Sequence, residues 1–453
     1  MEATPATRPP RPEMNAEVEV TIDSLAHGGA GVARVDGYVL FISGAIPGDR
    51  VRAVVTKRKR AYGEARTVEL LAPGPERIEP KADHPGAPWQ VLPYERQLEI
   101  KAEQVEDALR RIGKLDGFEM EPIVAADEQW RYRNKVEFSF GENDGELVLG
   151  FHAPGSWETI IDTPDFLLAS ERINEARRVV LEHCRAQGLP AWDRRTQEGF
   201  LRNLVIREGR RTGQLQVRLV TSQGTFDGAA FAAAVPGDDG VFWTQAAGVG
   251  ETTAGGLTEH IAGPPALEEE LGGLHFAISP DAFFQTNTEM AEKLYAIAVE
   301  YAQLKGWERV FDLFCGIGTI GLSLAGRAGE VWGVEVVEHA ARDAIANAKR
   351  NEIGNAQFFA GDVRLAMRDL VQRAGRPDVL VVDPPRAGLS QKIVRRVIES
   401  APKRIVYVSC NPTTLAPNAA QLAEEGYALK RVRPVDMFPQ THHVECVALL
   451  ERV

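Results

Sequence analysis

The sequence predicts a doubly wound α/β unit at its C-terminal end, a small β-barrel near its N-terminal end and an α+β domain between them. Three observations carry this. From about residue 281 strand-like and helix-like runs alternate to the last residues. Between 17 and 72 short runs alternate apolar and polar residues between Gly- and Pro-containing turns. And 453 residues exceed what one hydrophobic core organises.

The opening MEATPATRPPRPEMN carries charges and prolines but no apolar core segment, so residues 1–16 are expected to be a disordered tail and not a secretory signal. EVEVTIDSL, GYVLFI, RVRAVVTKRK and EARTVELL, over 17–72, have the period of half-buried strands and predict a small antiparallel barrel. Such barrels often bind single-stranded nucleic acid, and Lys57, Arg58, Lys59 and Arg60 would serve that end. The same charges equally suit a solvated edge that keeps sheets from pairing. Composition leaves both readings standing. Residues 73–93 are Pro-rich and read as a linker.

The middle domain is expected over 94–280. It opens with PYERQLEIKAEQVEDALRRIG, where Leu98, Val105, Leu109 and Ile112 fall near helical spacing. Strands follow in VEFSF, ELVLGFH and NLVIREGRRTGQLQVRLVT. RYRNK places Arg131, Arg133 and Lys135 in a second basic clump. A net charge of −12 argues against blanket attraction to nucleic acid, but local basic patches are compatible with a structured polyanion.

The last domain, 281–453, begins with a helix for which Thr286, Asn287 and Thr288 are all N-cap candidates. Then come RVFDLF, VWGVEV, AQFFAGD, VLVVD and RIVYVSC, with helical stretches between them. LKRVRPVDMF and HVECVALLE close the chain as a hairpin expected at the sheet edge. No apolar stretch approaches a membrane span. The four cysteines are scattered without a CxxC pair, which argues for a reducing, cytoplasmic setting and against a cysteine metal site. A monomer is expected.

Chemistry gathers in this domain. DLFCGIGT has the form strand, Gly-x-Gly, helix: Gly316 and Gly318 let the backbone approach a ligand, and the helix that follows presents free N–H groups. Glu335 lies one βα unit later, placed to take ribose hydroxyls of an adenosine. The loop by itself also fits a nicotinamide enzyme or a plain strand-to-helix turn. VVDPPRAG sets a rigid loop after a strand, with Asp383 either a polar contact or a cap. Cys410 ends a strand at the edge where open α/β sheets keep their chemistry. Methylation at a pyrimidine C5 would explain Cys410 together with Glu445. That carbon is a poor nucleophile until a thiolate adds at C6, and a carboxylate must later remove the C5 proton. Cys184, Cys315 and Cys446 are most simply core-filling.

With FFQTNT, DLFCGIGT, GVEV, DPPRAG, VSCNPTT and DMFPQTHHVE in this order, the chain resembles the RNA uracil-C5 methyltransferase family, and residues 17–71 resemble its TRAM module. The resemblance implies a class I S-adenosylmethionine (SAM) fold, an RNA substrate, Cys410 as nucleophile and Glu445 as base. It carries cofactor contacts to Gln285, Phe314, Glu335, Asp362 and Asp383. It carries one also to Thr319, where family members often have Asn. Many bacterial members bind a [4Fe–4S] cluster near the linker. Here DHPGAPWQVLPYERQ has no cysteine, with His84 and Ala87 where two would stand, so no cluster is expected. Ribosomal RNA is favoured over transfer RNA because the N-terminal barrel is commoner in that branch. Two rivals are another SAM enzyme, acting on cytosine or an amine, and a non-catalytic RNA-binding protein. Arg386 after Asp-Pro-Pro, the lack of a Pro-Cys loop and the intact Cys410 and Glu445 argue against them.

Overall fold

The computed structural model describes residues 11–453 apart from 247, 249, 251, 252 and 254. Packing divides the chain into two units. One runs to Asp107 and takes in Phe438–Val444; the other comprises Ala108–Met437 and Glu445–Val453.

In the first unit six strands form one sheet in the order Glu17–Thr21, Arg50–Arg58, Tyr62–Ala72, Tyr38–Ser43, Gly31–Val35, Ser24–Leu25. Alternation along them sends Val20, Ala33, Leu40, Ile42, Val51, Ala53 and Ala65 into a common core. The barrel is not wholly antiparallel: Tyr38–Ser43 runs parallel to Tyr62–Ala72. Arg50–Arg58 crosses to pair with Glu17–Thr21, so its hairpin partner returns along Tyr38–Ser43 in the same direction. Of the expected tail, 1–10 lie outside the described residues, and Asn15 and Ala16 already hydrogen-bond to Val55.

Residues 73–93 are more than a spacer. The buried Asp49 carboxylate accepts from the amides of Ile46 and Gly74 and from the Nε and Nη2 of Arg77. Gln90 holds Lys81 and Ala82 through both ends of its amide, and Trp89 and Leu92 pack with Ile46 and Ile100. The predicted helix is α-helical over Tyr94–Asp107 and belongs with this unit, whereas a π-helical turn, Ala108–Ile112, opens the next. Its buried side includes Gln97 and Lys101, while Ile112 is exposed.

The second unit opens its middle portion with a seven-stranded sheet. Its order is Ile160–Asp162, Glu146–His152, Lys135–Asn143, Leu201–Glu208, Leu215–Thr221, Gly240–Ala246, Gly256–Ala262. The helix Glu171–Ala186, capped by Ser170, packs on it.

The rest of this unit is the doubly wound sheet. Its strands are β1 (Arg309–Leu313), β2 (Glu330–Glu335), β3 (Ala356–Ala360), β4 (Val379–Val382), β5 (Arg404–Ser409), β6 (Tyr427–Val435) and β7 (Glu445–Arg452). Its helices are α1 (Thr288–Ala302), α2 (Thr319–Ala325), α3 (Glu338–Arg350), α4 (Val363–Ala374), α5 (Gln391–Ser400) and α6 (Pro412–Glu424). The strand order is β3-β2-β1-β4-β5-β7-β6, parallel from β3 to β5 and antiparallel at β7. The closing hairpin is not the edge: the short strand Glu119–Met120 adds alongside β6. The central strands β4 and β5 are almost wholly apolar and buried, as helices on both faces require, whereas the edge strand β3 buries only Phe358.

Candidate active site

Most candidate side chains follow the carboxyl ends of β1 to β5, with Gln285 ahead of α1 and Glu445 at the start of the antiparallel β7, and the local sequence says why. After β1 the backbone turns left-handed at Phe314 (φ 65°), Gly316 (54°) and Gly318 (88°), which lifts the chain off the strand and starts α2 at Thr319. A Cβ on Gly318 would stand 3.1 Å from Phe358 and 3.2 Å from Ala344, so glycine is needed for space as well as angle. A Cβ on Gly316 would instead project into open space. Glu335, last residue of β2, accepts from the Gly316 amide at 3.0 Å and the Val337 amide at 2.8 Å, which fixes its carboxylate against the loop.

Asp362 follows β3 and caps α4, accepting from the Arg364 amide at 2.8 Å; it is exposed. Asp383 follows β4 directly, and burial pushes its carboxyl up to about 7. Gln285 is buried just ahead of α1, and Thr319 Oγ1 donates to the Tyr295 hydroxyl at 3.3 Å.

The open space beside Gly316, the clamped Glu335 and a buried Asp312 Oδ1 with no hydrogen-bond partner among the described residues suit a nucleoside cofactor.

Cys410 follows β5, half-buried. Asn411 caps α6 through the Thr413 amide, and Pro412 suits the first helical turn. Asn411 Nδ2 and Thr414 Oγ1 both donate to the Arg386 carbonyl, at 3.1 and 3.2 Å, so the Cys410 turn and the Asp383–Gly388 loop are one piece. Asn418 strengthens the joint by bonding the amide and carbonyl of Leu389 and the Tyr407 hydroxyl. Glu445 opens β7. Because Ser409 pairs with Cys446 in an antiparallel ladder, Cys410 and Glu445 come opposite one another.

The electrostatics are those of a protonated site. Burial, then the carboxylates of Glu445 and Asp383, pushes the Cys410 thiol up to about 11, with Arg386 opposing. Burial, then Asp383, also holds the Glu445 carboxyl far above the usual range.

Two residues that the sequence reading passed over matter here. Asp312, inside DLFCGIGT, is fully buried and accepts from the Gly321 amide at 2.8 Å, tying α2 back to β1. Asn134, inside YRNK, donates to the Gln285 carbonyl and to Thr288 Oγ1, each at 2.9 Å, and its amide reaches Thr286. An Asn in a basic run gave no sign of this. A buried Asp at the end of an apolar strand was the available signal for the other.

The predicted basic residues divide. Lys57, Arg58, Lys59 and Arg60 lie exposed at a hairpin tip, with Lys57 paired to Glu64. Arg131 is occupied internally, forked onto Asp165 and donating to the Phe166 and Ala169 carbonyls. Arg133 is partly buried, and Lys135 pairs with Glu137 at 2.6 Å. The structure therefore does not gather RYRNK into one exposed patch.

The doubly wound sheet with an antiparallel seventh strand, a glycine loop after its first strand and an acid after its second is the layout expected of a class I SAM-dependent methyltransferase. Comparison with known proteins narrows the class. Residues 272–453 match the tRNA (uracil-5-)-methyltransferase family model, and residues 13–68 match the TRAM domain. An uncharacterized RNA methyltransferase of Halalkalibacterium halodurans is 40% identical over 448 residues, covering 96% of this chain and 97% of its own. One from Porphyromonas gingivalis is 39% identical, covering 95% and 99%. The crystal structure of the Pyrococcus abyssi tRNA (uracil-54, C5)-methyltransferase with S-adenosyl-L-homocysteine is 28% identical, with a TM-score of 0.78 over 96% of this chain and all of that one. The chain belongs to the RNA uracil-5-methyltransferase family, carries a TRAM domain and is a SAM-dependent enzyme. Among the described residues no helix is long and apolar enough to cross a membrane.

Proposed function

We propose that this enzyme methylates C5 of a uridine in RNA through a covalent bond between Cys410 Sγ and C6 of the base. The ladder register that sets Cys410 opposite Glu445 carries the reading. The Cys410 thiol passes its proton to the neighbouring Asp383 carboxylate as sulfur bonds to C6, moving electron density to C5. C5 then takes up the electrophilic methyl group that bound SAM would supply, with S-adenosyl-L-homocysteine as the leaving product. Glu445 then removes the C5 proton, the C5–C6 double bond re-forms and the thiolate leaves. Gln285, Phe314, Gly316, Gly318, Thr319, Glu335, Asp362 and Asp383 form the cofactor side of the site, with Glu335 suited to ribose hydroxyls. The target uridine must leave its stack to reach Cys410, so an unpaired loop is the expected substrate. Ribosomal RNA, the 23S species first, is favoured on the N-terminal barrel, with Lys57, Arg58, Lys59 and Arg60 meeting the phosphates. A transfer-RNA substrate has in its favour the activity named for the Pyrococcus abyssi enzyme.

The test separates the two residues. Glu445→Gln retains size but cannot accept the C5 proton, so it should accumulate a protein–RNA adduct that survives denaturing gels and carries the labelled methyl of SAM. Adding Cys410→Ala should abolish the adduct. Normal turnover by Glu445→Gln would assign the proton elsewhere. Substantial methylation by Cys410→Ala would refute the covalent route.

A further inference from the structure

We propose a phosphate-binding site on the middle sheet, built from Lys135, Arg207 and Arg218, that takes a backbone phosphodiester of the RNA. The proposal rests on the RNA substrate argued above and adds two arginines to it. Register places the three side chains on one face: Arg207 pairs with Lys135, and Arg218 pairs with Val205, which in turn pairs with Glu137.

The charges on this face do not balance. Lys135 is bonded to Glu137, which also accepts from Thr253 Oγ1. Arg218 is bonded to Asp281. The Arg207 side chain donates, among the described residues, to the Ala282 carbonyl alone, at 2.7 Å from Nη2, and is 2% exposed. Among the described residues its Nε and Nη1, and the Nε of Arg218, have no hydrogen-bond acceptor. Three cations thus face two carboxylates among the described residues, and the surplus belongs to the most deeply buried one. Glu137 and Asp281 act on Arg207 only at a distance, being bonded to Lys135 and Arg218, and a buried guanidinium so placed is favoured by an anion whose geometry matches its fork, as a phosphate does. Burial and the neighbouring Arg218 lower the Arg207 guanidinium to about 10, as mutual repulsion requires. The cluster reaches the surface at Lys135, Glu137 and Asp281, whose side chains are 21%, 42% and 39% exposed. That is the entry for a chain whose backbone runs over this face.

The experiment uses the full chain with two probes. One is total RNA from cells lacking the gene, as methyl acceptor with labelled SAM; the other is single-stranded poly(U), for binding across a salt series. Arg207→Gln and Lys135→Gln should each raise KM for RNA several-fold with kcat and SAM affinity little changed. Each should reduce the slope of log affinity against log salt by about 0.7 for one lost phosphate on a single strand. Arg218→Lys, which keeps the charge, should keep the slope. Should Arg207→Gln fail to fold, Lys135→Gln, at the open rim, carries the test alone. Unchanged slope and KM in a folded variant would overturn the site while leaving the methylation reading intact. If wild type makes no 5-methyluridine in the acceptor RNA, that reading fails, and the poly(U) slopes still decide the site. Inorganic phosphate exchanged for chloride at fixed ionic strength is the last arm. Variants that lose phosphate competition yet bind RNA as wild type would assign the cluster to free phosphate and overturn the RNA assignment.

Discussion

Asp312→Asn should reverse part of a pH-dependent weakness of the catalytic unit. The Asp312 carboxyl is wholly buried at the end of β1, one oxygen on the Gly321 amide, the other with no hydrogen-bond partner among the described residues. Burial first, with Asp383 and Glu335 adding repulsion against the help of that amide, raises it from 3.8 to about 7. A raised folded-state value means that the native protein binds this proton more tightly than the unfolded chain. The associated stability is therefore complete below about pH 4 and is lost as pH rises through about 7. A carboxyl raised this far loses roughly 4 kcal/mol over the whole range, of which roughly 3 kcal/mol falls between about pH 5 and about pH 8.5. Asn keeps the acceptor for Gly321 and cannot ionise. Its amide hydrogens lack an acceptor, a constant penalty of about 1–3 kcal/mol at every pH. Urea unfolding of wild type and variant at the two pH values isolates the titrating part, because the constant penalty cancels. The variant should gain about 3 kcal/mol on wild type from the lower pH to the higher. A difference that stays within about 0.5 kcal/mol would show that Asp312 ionises normally and would refute the account of burial.

Three further outcomes are expected. Single-turnover methyl transfer at saturating SAM should rise with pH from about 6.5 to about 9, up to tenfold per pH unit, since the thiol sits near 11 and only the thiolate attacks; a flat profile would mean that another step limits or that Cys410 is not the nucleophile. Gly318→Ala should lower SAM affinity roughly tenfold and destabilise by about 1–2 kcal/mol, the cost of a left-handed non-glycine residue, before its contacts with Phe358 and Ala344 are counted; calorimetric titration with SAM checks it. Asp49→Ala should destabilise the N-terminal unit by about 3–5 kcal/mol, because it strands Arg77 and two buried amides. In wild type the hydrogen bonds from Arg77, Ile46 and Gly74 outweigh burial and lower the Asp49 carboxyl, so its contribution is present above about pH 4 and fades as pH falls through the depressed value.

The doubly wound sheet was legible because short strand-like runs alternate with helical stretches, and because β3, β4 and β5 are closed by Gly361-Asp362, Asp383-Pro384 and Asn411-Pro412. Cys410 and Glu445 stood out in the sequence as a candidate pair, but the juxtaposition that sets them opposite one another did not. It depends on β7 inserting between β5 and β6, a long-range ladder that no local pattern encodes. The same limit hid Arg131, whose partner Asp165 is 34 residues away, and so a structural clamp read as part of a basic patch. Lys101 is a further case. A lysine on an amphipathic helix is ordinarily solvated, yet this one is buried with Nζ on the Phe438 carbonyl at 3.1 Å. The linker was misjudged for a related reason: prolines predict the lack of regular structure, not the lack of packing, and Trp89 is 2% exposed.

The proposed chemistry asks this site to handle two protons in sequence, and the burial pattern bears on how. The thiol proton must leave before sulfur can add to C6; the C5 proton must leave after the methyl has arrived. With Cys410 near 11 the thiol is nearly all in its unreactive form at neutral pH, while burial and Asp383 raise the proton affinity of Glu445 above that of an ordinary carboxylate. Of the three groups Asp383, at about 7, is the one that changes charge near neutrality, and its loop is joined to the Cys410 turn through the Arg386 carbonyl. On the proposed scheme a half-buried, protonated nucleophile is an advantage. It resists oxidation and stray alkylation until a uracil ring enters, displaces water and adds its own polar groups beside the carboxylates. Separated acid strengths on three side chains of one sheet edge then let one accept early and another late. A site with all three groups exposed and at their ordinary values would have a more reactive thiol and no such order.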